Sequence, residues 1–286
     1  MYLDKYKIEG TVNLDPNPCF EDTNTYPNFQ EKLEEFKDLL VNLVDNNESK
    51  TFYKFGDGDY YFLQKMPVGS ATPGRRALSK SYESIGHERF VEGAQLCDYY
   101  TCEIYPENIA HYKEVIQRDI DFPAEYGYGL VTNKWLLQTF AGKIGLIGAN
   151  TKMNIIQNIM EAPQYQEYLG LEKFEDYISL PQKFACDDLD ATEKMVGEQL
   201  EKSTSKIFLM GIGHVKSGLI HRLKKYTDAV FLDVGASIDA LAGIIDIDRP
   251  YAGDWTNYQI DEQSLYSGVD LLAYEGKGKH ITLERE

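Results

Sequence analysis

The chain has 286 residues, 43% of them hydrophobic and 26% charged, with 46 acidic against 29 basic side chains and a net charge of −17. That apolar content is enough for a core and excludes disorder throughout. The charge excludes a nucleic-acid binder working through a general basic field, because the phosphate backbone would meet net repulsion.

The length suits one large domain or two small ones. Four cysteines, Cys19, Cys97, Cys102 and Cys186, are too few for a disulfide scaffold and contain no CxxC pair. Cys97 and Cys102 have no further ligands at zinc-site spacing, so buried thiols in a reducing cytoplasm are expected. The N-terminal MYLDKYKIEG lacks the apolar stretch of a signal peptide. No apolar run approaches the ~18 residues of a spanning helix, so no membrane span is expected.

In chain order, residues 1–27 carry Pro16, Pro18 and Pro27 among Asn and Asp and read as an arm. Leu33, Phe36, Leu40 and Leu43 recur at helical spacing and predict a helix over 28–45. Thr51–Phe55 is a β-prone run that stops at Gly56-Asp57-Gly58-Asp59. Residues 60–66 and 78–97 read as helical, with a Pro- and Gly-bounded loop between them. A strand is expected at 99–104 and a helix at 133–141. The second half alternates cleanly: strands at 143–147, 174–180, 206–210 and 229–233, and helices at 152–161, 190–202 and 217–225. Strands alternating with helices predict a mostly parallel, Rossmann-like α/β sheet with helices on both faces. The expected organisation is an arm (1–27), one such domain (28–259) and a C-terminal extension (260–286) with a hairpin between 269–274 and 280–283.

Two segments point to chemistry. Strand 206–210 runs into Gly211-Ile212-Gly213-His214 and then a helix, with Gly218 following. Such a turn exposes backbone N–H groups to phosphate. Asp233 ends the next strand, where an acid commonly bonds a ribose hydroxyl. The spacing departs from G-x-G-x-x-G, and any tight βα turn explains the same glycines. In the second segment, Asp57 and Asp59 lie one residue apart on a turn at a strand end. They could share Mg²⁺ or Mn²⁺, although Asp and Gly also form ordinary turns. A diphosphate beside two aspartates would need such a cation to reverse the local field.

The stretches Tyr53–Asp59, Lys143–Gly148, Ile207–Gly211 and Phe231–Gly235 resemble, in order and rough spacing over residues ~50–240, the GT-D-type glycosyltransferases, including the domains that elongate glycans on bacterial adhesins. The resemblance implies a Rossmann-like nucleotide domain, a UDP-sugar donor and a divalent metal, often manganese. It places metal and donor binding on Asp57 and Asp59. Asp59 stands where the family's D-x-E motif has Glu, and His214 lies in a turn that usually lacks histidine.

Donor-binding candidates are Phe55, Gly56, Gly58, Gly148, Asn150, Gly211, Gly213, His214 and Asp233. Arg75 and Arg76, on a Pro-Gly loop, could clamp a diphosphate or remain solvated. The base that activates an acceptor hydroxyl would come from Asp59, Asp239 or Asp254. Tyr251 and Trp255 could stack on a pyranose or simply anchor a loop. His87, His111, His221 and His280 show no partner spacing and read as structural. The expected function is metal-dependent transfer of a sugar from a nucleotide sugar to a glycan or glycoprotein hydroxyl, with no nucleic-acid partner. The alternatives are an S-adenosylmethionine-dependent methyltransferase, an NAD-dependent dehydrogenase, or a non-catalytic nucleotide-sugar-binding module.

Overall fold

The computed structural model describes residues 7–11, 27–56, 59, 87–102, 106–181, 188–246, 255 and 279–281. Helix α1 (Phe29–Asp45) buries Phe29, Leu33, Phe36, Leu40, Leu43 and Val44 as one stripe. It ends at Asn46, and Asn47 follows with a φ of 53°, a conformation asparagine tolerates.

Seven parallel strands follow: β1 (Thr51–Phe55), β2 (Tyr99–Cys102), β3 (Phe122–Pro123), β4 (Ile144–Ala149), β5 (Tyr177–Leu180), β6 (Ile207–Gly211) and β7 (Val230–Asp233). Their order is β3-β2-β1-β7-β6-β4-β5. β1, β4 and β7 are buried at every residue, which is why they read as unbroken apolar runs rather than alternating ones.

The remaining helices are α2 (His87–Gln95), α3 (Pro106–Ile116), α4 (Glu125–Thr132), α5 (Trp135–Thr139), α6 (Asn150–Ile159), α7 (Pro163–Leu169), α8 (Leu189–Leu200), α9 (Val215–Leu219) and α10 (Ser237–Leu241). On one face of the sheet, α1, α4, α6 and α10 pack Phe36, Leu40, Leu130, Ile156 and Ile238 into a cluster with Phe52, Leu146, Leu209 and Leu232. On the other, α2, α8 and α9 pack Phe90, Val196 and Leu219 with Tyr53, Phe208 and Phe231. Alternate residues of each strand thus serve opposite faces. The fold is α/β and Rossmann-like, as the alternating pattern predicts.

Several expectations shift. The helix expected at 133–141 is the short α5, and α4 precedes it unforeseen. The helix expected at 217–225 starts at Val215 and continues as a 3₁₀ turn over Ile220–Lys225. Residues 279–281 pair antiparallel with Ile244–Asp246, so β9 (Lys279–Ile281) joins β8 (Ile244–Asp246), a partner not expected for it. The expected helix at 60–66, the start of that at 78–97 and the segment 269–274 lie outside the described residues. Part of the N-terminal arm is docked. Ile8 is buried, the Gln30 side-chain amide donates to the Lys7 carbonyl (2.7 Å), and Asn133 Nδ2 donates to the Glu9 carbonyl (2.8 Å). Among the described residues, no helix is long and apolar enough to cross a membrane.

The strand order sets where a site can form. After β6 the chain enters α9 on the second face. After β7 it turns through Gly235 (φ 52°) into α10 on the first face. Neighbouring strands β6 and β7 therefore send their connections to opposite faces. Such a divergence opens a crevice at the carboxyl ends of the strands.

Candidate functional site

The turn after β1 closes on itself. The Asp59 N–H donates to the Gly56 carbonyl, and the Gly56 N–H donates back to Asp59 Oδ2, each at 2.9 Å. The bond from the Gly56 N–H is the half of a capping box in which an acid three residues on reaches back to the cap N–H. The Tyr112 hydroxyl adds a bond to the Gly56 carbonyl (2.7 Å).

The Asp59 side chain is 4% exposed and surrounded by donors. The Tyr53 hydroxyl donates to Oδ1 at 2.9 Å, and His214 Nδ1 lies 3.8 Å from the same oxygen. Lys216 Nζ approaches Oδ2 at 3.2 Å. Because Tyr53 spends its one proton on the carboxylate, the Ser217 hydroxyl, 2.6 Å away, donates to Tyr53.

Lys216, itself 5% exposed, also reaches Asp233 Oδ2 at 2.7 Å and donates to the Lys54 carbonyl. Its ammonium lies 4.7 Å from the centroid of the Tyr53 ring. Asp233 is 4% exposed; its Oδ1 accepts the Gly235 N–H (3.0 Å) and its Oδ2 the Lys54 N–H (3.3 Å). One lysine from α9 thus joins the ends of β1 and β7.

Burial pushes the Asp59 carboxyl up, but Lys216, His214 and the Gly56 N–H outweigh it and hold the group well below the usual carboxylate range. Tyr53 is pushed well above its ordinary value, first by burial and then by the Asp59 charge. Asp59 is therefore a fixed anion and Tyr53 a fixed donor.

Asp59, Asp233, Gly56 and His214 come together as a group. Gly211 and Gly213 sit on the same edge. A Cβ on Gly211 would lie 2.7 Å from the Gly235 carbonyl, so packing requires this glycine. Gly213 has a φ of 58° and no described atom within 4 Å of a Cβ position, so its turn is open. Gly148 pairs with Gly211 in the sheet register, and Asn150 opens α6, exposed, beside it.

Other expectations part from this group. Phe55 is fully buried, stacked on Tyr112 at 4.2 Å, and is a core residue rather than a donor contact. Trp255 is buried against Tyr168 and offers no free ring to a sugar. Asp239 forms an ion pair with Lys152. Asp57, Gly58, Arg75, Arg76, Tyr251 and Asp254 lie outside the described residues. Sequence reasoning missed Lys216, Tyr53 and Ser217. The available signal was a lysine set in the otherwise uncharged run Val215-Lys216-Ser217-Gly218-Leu219-Ile220.

Asp59 does not fit a direct metal ligand in this arrangement. Oδ1 accepts the Tyr53 hydroxyl and Oδ2 the Gly56 N–H, and a cation at Oδ2 would have to displace Lys216. Among the described residues, no group of three or more His, Cys, Asp or Glu is placed to hold a metal ion.

A scan against protein-family models finds no match, and searches of curated proteins and of solved structures find none either. Fold and site together define a Rossmann-like α/β protein with a buried ionic cluster at the strand-end crevice.

Proposed function

We propose that the protein is a glycosyltransferase that holds a nucleotide-sugar donor, UDP-linked, over the carboxyl ends of β1, β7 and β6 and passes the sugar to a glycan hydroxyl. One observation supports this above the others. Three chain-distant segments, 53–59, 213–217 and 233–235, interlock at the crevice where ligands of open α/β sheets bind, and all three belong to the GT-D-like pattern or adjoin it.

In this reading the open turn at Gly213 and His214 faces the diphosphate. Asp59 orients His214 rather than taking a proton, because a carboxylate held so far below its usual range is a weak base at neutral pH. The activating base would then be Asp254 or Asp239, the latter after release from Lys152.

The dehydrogenase alternative is weakened by Asp233. Both its oxygens are engaged by Lys216, Lys54 and Gly235, so the acid shapes the β7 turn and is not offered to a ribose. A thermal-shift panel tests the proposal. UDP-sugars should raise the melting temperature above the effect of GDP- or dTDP-sugars, and slow donor hydrolysis should accompany binding. Stabilisation by S-adenosylmethionine or NAD instead would overturn it, and donor binding without any hydrolysis would leave a binding module.

A further inference from the structure

We infer that the Lys216 ammonium, and not a divalent ion, is the cation of Asp59 and Asp233. An ammonium has three N–H donors. Here it donates to the Lys54 carbonyl and pairs with Asp59 Oδ2 and Asp233 Oδ2, so that three oxygens from two chain-distant segments surround it. Carboxylate and carbonyl oxygens are the ligands that a hard cation such as Mg²⁺ or Mn²⁺ takes. The crevice therefore has the donor set of a cation site, already filled by a side chain.

Charge and space make the two occupants exclusive. Lys216, Asp59 and Asp233 are each about 95% buried, so no solvent shell separates a second cation from the ammonium. The remaining acceptor capacity is also taken. Tyr53 binds Asp59 Oδ1 and Gly235 binds Asp233 Oδ1, while the Gly56 and Lys54 N–H groups share the Oδ2 oxygens with Lys216. A divalent ion could enter only by expelling the ammonium from its place between the two carboxylates and the Lys54 carbonyl.

The built-in cation also fixes the turn next to it. Lys216 lies two residues beyond His214, and its anchor on the ends of β1 and β7 ties the 213–217 segment to the crevice. For this turn to meet a donor diphosphate rests on the function proposed above; the cation assignment does not.

Mn²⁺ titration followed by the electron paramagnetic resonance signal of the free ion tests the assignment on the full chain. Wild type and Asp59→Asn should give superimposable isotherms. Lys216→Ala should gain one site at least tenfold tighter than any in wild type, and Lys216→Ala combined with Asp59→Asn should lose it. Mn²⁺ should also raise the melting temperature of Lys216→Ala and leave that of wild type unchanged. A wild-type site that disappears in Asp59→Asn would overturn the inference, as would a folded Lys216→Ala that gains none. If Lys216→Ala does not fold even with Mn²⁺, the comparison of wild type with Asp59→Asn decides. UDP calorimetry on the same samples reads the donor proposal separately: absence of UDP binding would refute that proposal and leave the Mn²⁺ result standing.

Discussion

The hydroxyls of Tyr53 and Ser217 meet 2.6 Å apart in the interior, one from β1 and the other from α9. Ser217 is fully buried, and its proton goes to Tyr53, whose own proton goes to Asp59. This chain converts the position of a helix into the orientation of a carboxylate. Tyr53→Phe removes the middle link and leaves Asp59 short of a donor. A buried group left unsatisfied costs about 1–3 kcal/mol. Urea denaturation of Tyr53→Phe should show a loss in that range, and Ser217→Ala a smaller one.

Lys216→Met keeps most of the side-chain volume and removes the charge. Two buried carboxylates then face each other without a counterion, and breaking a buried pair in this way costs about 3–5 kcal/mol. Equilibrium unfolding at pH 7 measures the loss. The Asp59 carboxyl is held low in the folded protein, so its contribution is present above the unfolded value of about 4 and is lost as pH falls below it. The deficit of Lys216→Met relative to wild type should therefore shrink under acid conditions. A deficit that stays constant from pH 7 to pH 3 would contradict the pairing.

His221 titrates in the opposite setting. Burial, followed by Arg222, brings it down to about 4, with Arg89 and Lys224 adding to the effect and Glu193 opposing it. The unfolded chain takes up this proton near pH 6.5 and the folded chain does not. Stability should thus fall between about pH 6.5 and pH 4 as the unfolded state is favoured. Melting curves across that window should flatten in His221→Gln.

Gly93 lies on α2 where it crosses α9. A Cβ there would fall 1.9 Å from the Ser217 carbonyl oxygen and 2.9 Å from His221 Cε1. The first contact is backbone and cannot rotate away, so Gly93→Ala must part the helices. Overpacking of this kind costs about 1–3 kcal/mol. Chemical denaturation should report that loss, and binding of a UDP-sugar should weaken with it because Lys216 and Ser217 move with α9.

The sheet was legible where burial on both faces left short apolar runs bounded by Gly, Asn or Asp, as in β1, β4, β6 and β7. Helix α4 was not. Its Gly127 and Gly129 lower helix propensity, yet all eight of its residues are buried and tertiary packing decides the outcome. At the site, Gly211, Gly213 and Asp233 stood out because a strand–turn–helix–strand unit is contiguous in sequence. The bond between Asp59 and Lys216 has no such local trace; it exists only once the strand order brings β1 next to β7. The ring of Trp255 suggested a sugar contact, and Phe55 a donor contact through its place beside Gly56, because sequence does not reveal which side chains are interior.

The seat of Ile8 gives the N-terminal segment a second use. A Cβ on Gly129 would come within 2.3 Å of Ile8 Cδ1, so the bare backbone of α4 is the socket that receives this side chain. Residues 7–11 are in effect a plug. A version of the protein trimmed to begin at residue 12 would uncover the apolar seat of Ile8 on α4 and should self-associate.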